Sequence, residues 1–235
     1  MEDSWSAPVR RTAGYRHVAT PAFAVGVGAA LLLLVVDELT IPQAAALRTA
    51  AAGGVLLLGV LARTAISLGG VATADFVVRR GGTSAATELA ARVHVSGMRL
   101  AGLVLGVTTL AAGSALWLAT RAGVADRLVA VTVGACLTLR SPLFGKTWAA
   151  MTTAAGGGLV MLVAGYHLAV GPPGLVQLAP IAAALVCGVF LLIAESPALG
   201  AGFGGRLLRL LESTAVIAMM CAVAAAYGLL DAAVD

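Results

Sequence analysis

The stretch RTAISLGGVATADFVVRRGGTSAATELAARVHVSGMR, residues 63–99, is the longest part of the chain without an apolar segment of membrane length. Its only acidic residues are Asp75 and Glu88, whereas its arginines are Arg63, Arg79, Arg80, Arg92 and Arg99. By the positive-inside rule, a loop with this excess of arginine stays in the cytoplasm. Two apolar runs precede it and five follow it, so its position fixes the side of every other loop.

Composition places the whole chain in a membrane. Of its 235 residues, 60% are hydrophobic and 11% are charged, and the mean hydropathy is +0.99, whereas a soluble domain carries about 25% charged residues. The net charge of +4 does not indicate a nucleic-acid partner, because the basic residues stand at the ends of apolar runs. There they orient helices against the lipid bilayer.

The apolar runs predict an all-α, polytopic membrane protein with about seven transmembrane helices. Residues 1–16 form a short cytoplasmic N-terminal segment, and residues 17–235 form the transmembrane domain with a cytoplasmic loop at about 68–97. The predicted spans are about Thr20–Val36, Thr49–Ser67, Leu100–Ala119, Val124–Leu139, Ala149–Val170, Val176–Ala194 and Gly205–Leu230. A cleaved signal peptide is the alternative for the first run, with Ala44–Ala46 as its cleavage site.

Charged residues near the span ends refine this picture. An arginine at the centre of a transmembrane helix costs about 2.5–3.5 kcal/mol, so Arg48 is placed at the outer boundary of span two. Span four reaches only about 24 Å, and Arg127 and Arg140 are expected to snorkel from its two ends. Arg209 and Glu212 are expected to pair at the cytoplasmic end of the last helix.

The resulting topology has a cytoplasmic N-terminus and an outer C-terminus in the plasma (inner) membrane. Of the 15 basic residues, only Arg48, Arg121 and Arg127 fall outside, leaving twelve on the cytoplasmic side. Aromatic residues give an independent check, because a belt of Trp and Tyr marks the membrane interfaces. Five lie near predicted span ends: Tyr15, Trp117, Trp148, Tyr166 and Tyr227.

One helix is predicted to leave the bilayer. Ser84 suits an N-cap, and Glu88 suits the helix dipole in the first turn. From there a helix runs unbroken through Arg92 and Arg99 into span three. Its cytoplasmic section is where a partner docks, with Arg92 and Arg99 as the docking residues. The alternative is that these two arginines only contact lipid phosphates.

No motif of the chain predicts catalysis, a cofactor or a metal. No acidic, His or Lys residue is placed at mid-membrane depth, where pumps and proton relays need one. The last helix has no lysine for a retinal Schiff base, and neither G-x-S-x-G nor H-E-x-x-H occurs. The three cysteines, Cys136, Cys187 and Cys221, fall in different apolar runs and are expected to be small apolar residues. The glycine-rich run Gly200–Gly205 follows an apolar helix and predicts a linker, not a phosphate loop.

Several glycines predict close helix contacts. Gly102 and Gly106 form a small-x-x-x-small pair in span three, and Gly156, Gly157 and Gly158 lie inside span five. Small residues at these spacings let transmembrane helices approach each other closely.

Four stretches together resemble EccD, the multi-span membrane component of type VII (ESX) secretion systems. They are LLLGVLAR at residues 56–63, the charged entry at 91–99, LTLR at 137–140 and the ending at 206–230, where a basic start and Glu212 precede Tyr227-Gly228. The resemblance extends over about residues 50–230. It implies an actinobacterial source.

The resemblance also implies a function. The family has eleven spans after a ubiquitin-like domain, and the seven spans here correspond to its last seven. EccD copies pair, enclose a lipid-lined vestibule and associate with EccB, EccC and EccE, of which EccC is the ATPase. The implied role is a non-enzymatic scaffold for protein transport. A small transporter or permease subunit is the alternative, although a transporter should hold charged groups at the midplane, and a membrane enzyme ranks third.

Overall fold

In the computed structural model, the chain is described at residues 19–29, 42–68, 83–144, 148–170, 181, 184–185, 188 and 203–228. These residues form α-helices and one 3-10 turn, and no strand occurs among them. The helices are α1 (Ala19–Ala29), α2 (Gln43–Leu68), α3 (Thr83–Thr120), α4 (Val124–Arg140), α5 (Trp148–Ala169) and α6 (Phe203–Ala226). The 3-10 turn, Ser141–Phe144, continues directly from α4.

The protein is an α-helical membrane protein. Three apolar segments of the described helices have the length and composition to cross a membrane: Gln43–Leu61 of α2, Gly97–Thr120 of α3 and Trp148–Ala169 of α5. Shorter apolar helices are α1 and the Leu210–Ala226 part of α6. The bilayer lacks water to satisfy backbone amides, so a chain of this composition crosses it as helices, each closing its own hydrogen bonds.

Helix α4 lies at the centre of the bundle. It packs against α5, α6, α3 and α2, and most of its residues are buried. Arg127 near its start contacts the end of α5, and Arg140 at its end contacts the middle of α2. Helices α2 and α4 therefore run in one direction, and α3, α5 and α6 run in the other. We call the end with Arg48 and Arg127 the Arg48 end, and the opposite end the Trp148 end.

The central position of α4 explains how a helix shorter than the hydrocarbon core fits into the bundle. A helix of 17 residues spans about 26 Å, which is less than the hydrocarbon core of about 30 Å. Other helices cover most of its surface, so this short helix is matched to its protein neighbours, and little of it meets lipid.

Glycines set the closest helix contacts. A Cβ on Gly157 of α5 would lie 2.6 Å from the Gly134 carbonyl oxygen of α4, and one on Gly54 of α2 would lie 2.9 Å from the Ala111 Cβ of α3. A Cβ on Gly106 would lie 3.2 Å from the Ala22 backbone, which brings α1 onto α3. The prediction of close contacts at Gly106 and Gly157 is confirmed, whereas Gly158 faces open space.

Most described helix bounds agree with the sequence. The predicted helix from Ser84 through Arg99 begins at Thr83 and continues without a break to Thr120. Spans four and five differ by one residue or less at each end, but span two begins six residues early, which places Arg48 inside α2. Residues 1–16 and residues 200–202 of the linker lie outside the described residues, as do residues 30–36 of span one and most of span six.

Candidate functional site

An ion pair deep in the bundle joins α4 to α6. Arg140 Nε donates to Glu212 Oε1 over 2.9 Å, and the side chains are only 8% and 23% exposed. The sequence predicts a snorkelling Arg140, which is wrong because the side chain is buried and bound to Glu212. It also predicts that Glu212 pairs with Arg209. The side chain of Arg209 lies outside the described part of the molecule.

Helix α2 also contacts the arginine of this ion pair. Arg140 Nη1 donates to the backbone carbonyl of Val55, whose oxygen has a second lone pair beyond its helical hydrogen bond. Gly59 makes this approach possible, because a Cβ there would lie 2.9 Å from both terminal guanidinium nitrogens. Arg140 is thus held by a carboxylate of α6 and a carbonyl of α2. We call Arg140, Glu212, Val55 and Gly59 the inner clip.

The inner clip lies against the apolar segments of two helices. Val55 lies inside the apolar segment Gln43–Leu61, about 18 Å from its start, and Glu212 lies inside the apolar segment Leu210–Ala226. The sequence placed Glu212 at the cytoplasmic end of the last helix, and it is the third residue of this apolar segment. Each charge alone is costly in hydrocarbon, and pairing with hydrogen bonds is what makes both tolerable.

A second polar cluster ties three helices together at the Arg48 end. Arg48 Nε donates to Asp126 Oδ1 over 2.6 Å, and its Nη1 donates to the Ala226 carbonyl of α6 over 2.7 Å. The guanidinium carbon also lies 5.5 Å from the ring centroid of Tyr227, and Tyr227 Oη donates to the Ala45 carbonyl over 2.8 Å. We call Ala45, Arg48, Asp126, Ala226 and Tyr227 the outer clip.

The outer clip suits the helix dipoles. Asp126 lies in the first turn of α4, where negative charge is favourable, and Arg48 neutralises the end of α6, where carbonyls lack helical partners. Arg127 likewise places a positive charge at the C-terminal end of α5. Its Nε donates to the Arg121 carbonyl over 2.9 Å and its Nη1 to the His167 carbonyl over 2.9 Å. Arg127 thus lies at a helix end, as predicted, but it binds protein carbonyls.

The predicted docking residues lie on α3. Arg99 is exposed, two residues into the apolar segment that begins at Gly97. Arg92 lies seven residues earlier on the same helix, and its side chain is outside the described part. The structure therefore puts both residues on one continuous helix, close to where that helix enters its apolar segment.

Comparison with known proteins identifies no relative of this chain. No family model, curated protein or solved structure matches the chain.

Neither clip was predicted, although one signal for the inner clip was present. Arg140 and Glu212 each stand in or beside an apolar run, and a charge in such a run calls for an opposite one. The pair is separated by 72 residues, so local spacing could not identify the partners. Asp126 was also present in the first turn of span four, but only basic residues were assigned to sides of the membrane.

Polar side chains elsewhere in the described interior are hydroxyls. Thr108 of α3 and Thr153 of α5 lie 3.4 Å apart, oxygen to oxygen, and both are buried. Within the described part of the chain, no three His, Cys, Asp or Glu side chains gather into a metal site. Cys136 is buried in α4, as expected, but Cys221 is exposed on α6. Cys187 lies outside the described residues.

Proposed function

We propose that the chain is a non-catalytic scaffold subunit of a type VII (ESX) protein secretion complex in the plasma membrane. In this proposal the N-terminus is cytoplasmic, the C-terminus is outside, and no cofactor takes part. The observation that carries the proposal is the length of helix α3. This helix has 38 residues and a length of about 57 Å, nearly twice the thickness of a hydrocarbon core of about 30 Å.

The extension of α3 is the docking element of this scaffold. The residues from Thr83 to Ser96 precede the apolar segment that begins at Gly97, and they reach about 21 Å beyond it. Because the helix is continuous, a partner bound to its extension is held in a fixed position relative to the bundle. The partners are EccB, EccC and EccE together with a second EccD-like copy, and Arg92 and Arg99 supply positive charge where the extension leaves the membrane.

The two clips support a scaffold role in a different way. They fix α2, α4 and α6 to one another at two levels, because the distance from Asp126 to Arg140 along α4 is about 21 Å. A subunit that positions other chains benefits from such cross-bracing, since few alternative arrangements satisfy both ion pairs.

Purification from native membranes tests the proposal. The tagged chain is extracted in mild detergent, and the particle mass and the co-purifying chains are determined. We expect a particle far larger than a dimer that contains a P-loop ATPase of the EccC type. A homogeneous monomer or dimer without such an ATPase would contradict the proposal.

Charge reversal on α3 tests the docking residues. We expect Arg92→Glu with Arg99→Glu to release the ATPase during co-purification while the helical content of the chain stays unchanged. The matched control is Arg121→Glu, which reverses an arginine at the Arg48 end and should leave co-purification intact. Retention of the ATPase by the double variant would show that the two arginines serve another purpose, such as contact with lipid phosphates.

A small transporter or permease subunit is the second candidate, and one observation favours it. Transporters place charged groups near the midplane, and the inner clip supplies a buried arginine together with a carboxylate inside the apolar segment of α6. Both groups are engaged with each other and with Val55, which favours a structural role. A stabilising thermal shift of the purified chain with one class of small solute, abolished by Glu212→Gln, would favour transport over the scaffold.

A further inference from the structure

The contacts of α6 differ in kind from those of the other described helices. Helices α1, α2 and α5 each meet a neighbour where a glycine lets two backbones come close. Helix α6 packs on α4 and, to a lesser extent, on α2. Among its described side chains, only Met219 is buried, and the half-buried ones that meet the core include the small Ala215, Ala222 and Ala226.

Apolar packing of this kind holds a helix weakly in a membrane. Lipid tails are as apolar as the side chains they replace, so helix association depends on close packing and on polar contacts. Among the described side chains, the polar contacts of α6 with other helices are the two clips, one at Glu212 and one at Ala226 and Tyr227. Leu210, Ile217 and Met220 are exposed between and beside them.

We propose that α6 is a detachable helix of the bundle and that the inner clip is its latch. The outer clip lies at a helix end with exposed Tyr227, so water can replace its contacts when α6 leaves. The inner clip has no such substitute, because Arg140 is almost fully buried and lies beside the middle of α2. Opening it separates two charges inside the apolar region, and this step sets the barrier to release. The inference does not depend on the proposed secretion role.

The thiol reactivity of Met219→Cys reports on the latch. Position 219 is fully buried against the core while α6 is docked, and the other cysteines are replaced by alanine. Two natural cysteines provide the references, each retained alone in a separate variant. Cys221 is exposed on α6 and gives the rate of an open thiol, whereas Cys136 is buried in α4 and reports on opening of the whole bundle. The uncharged reagent 4,4′-dithiodipyridine enters detergent micelles and is suitable for all three.

We expect Glu212→Gln to accelerate the reaction at position 219 by about tenfold or more, because it removes the charge that compensates Arg140. The rate at Cys136 should stay unchanged in the same background. An unchanged rate at position 219 would overturn the proposal. Equal acceleration at both positions would also overturn it, since the pair would then hold the bundle as a whole.

A conservative variant separates charge from shape. Glu212→Asp keeps the carboxylate but shortens the side chain by one methylene group, so the ion pair persists at a longer distance. We expect its reaction at position 219 to be slower than that of Glu212→Gln and faster than that of the native glutamate. Equal rates for the two variants would contradict a latch that works through charge.

Discussion

Arg140 is tolerated inside the bundle because three neighbouring residues accommodate its guanidinium group. Glu212 supplies the opposite charge, the Val55 carbonyl takes one further donor, and Gly59 leaves the space that the group fills. Removing any one of these leaves the arginine buried with less compensation, and a buried charge without its partner is strongly destabilising. The glycine is as much a part of this arrangement as the carboxylate.

Gly59→Ala tests the steric part of the inner clip. The added Cβ would approach both terminal nitrogens of Arg140. A free arginine could bend away, but this one is held by Glu212 and Val55, so we expect a loss of about 1–2 kcal/mol from weakened charged hydrogen bonds. Gly53→Ala is the control, because it lies on the same helix with no atom within 4 Å of the added Cβ. Thermal unfolding in detergent measures both, and equal effects would contradict the steric explanation.

Tyr227→Phe tests the outer clip. The variant keeps the aromatic ring beside Arg48 and removes the hydroxyl that donates to the Ala45 carbonyl. The same hydroxyl lies 2.9 Å from Thr49 Oγ1. We expect a loss of about 0.5–1.5 kcal/mol for each hydrogen bond removed, seen as a lower Tm in detergent. Tyr166→Phe removes the hydroxyl of an exposed tyrosine on α5 and should change the Tm less. A larger effect at Tyr166 would argue against this account of the Arg48 end.

At the scale of helices, the contact between α4 and α5 depends on two facing glycines. Gly157→Ala would place a methyl group 2.5 Å from Thr138 Oγ1 and 2.6 Å from the Gly134 carbonyl oxygen. Because one of these atoms belongs to the backbone, the helices must separate, and we expect a loss of about 1–3 kcal/mol.

The neighbouring Gly158→Ala gives a matched control for that helix contact. It lies in the same helix with open space around the added Cβ, and alanine has the higher helix propensity, so its Tm should stay level or rise. Unfolding of both variants in one detergent makes the comparison direct. A similar fall for both would place the effect in α5 itself and not in its contact with α4.

Helix positions were largely predictable, whereas helix partners were not. The lengths of the apolar runs, and the Gly, Pro and charged residues at their ends, predict the ends of α4 and α5 to within one residue, because these signals are local. Helix α2 begins six residues before predicted span two, so Arg48 lies inside the helix, where it is bonded to Asp126 and Ala226. Those bonds connect residues 78 and 178 positions apart, which a single sequence does not reveal.

For the whole molecule, the described charges divide between the two ends and the inner clip. Arg48, Asp126 and Arg127 hold the Arg48 end together, and exposed Trp117, Tyr166 and Tyr227 lie close to it. Trp148 opens α5 at the opposite end. In the proposed topology the Trp148 end faces the cytoplasm, as the positive-inside rule predicts for the arginine-rich stretch before Gly97. Asp126 balances the charge of Arg48, so this pair adds no net charge to the Arg48 end, whereas Arg127 keeps its positive charge because its partners are neutral carbonyls.

Cysteine accessibility in intact cells tests this orientation. Gly97→Cys and Ala122→Cys are introduced separately after Cys136, Cys187 and Cys221 are replaced by alanine. Both positions are exposed and stand at opposite ends of the apolar segment of α3. We expect a membrane-impermeant maleimide to label position 122 in intact cells, and to label position 97 only after permeabilisation. The reverse pattern would invert the bundle in the membrane. It would move the α3 extension outside the cell, out of reach of a cytoplasmic ATPase.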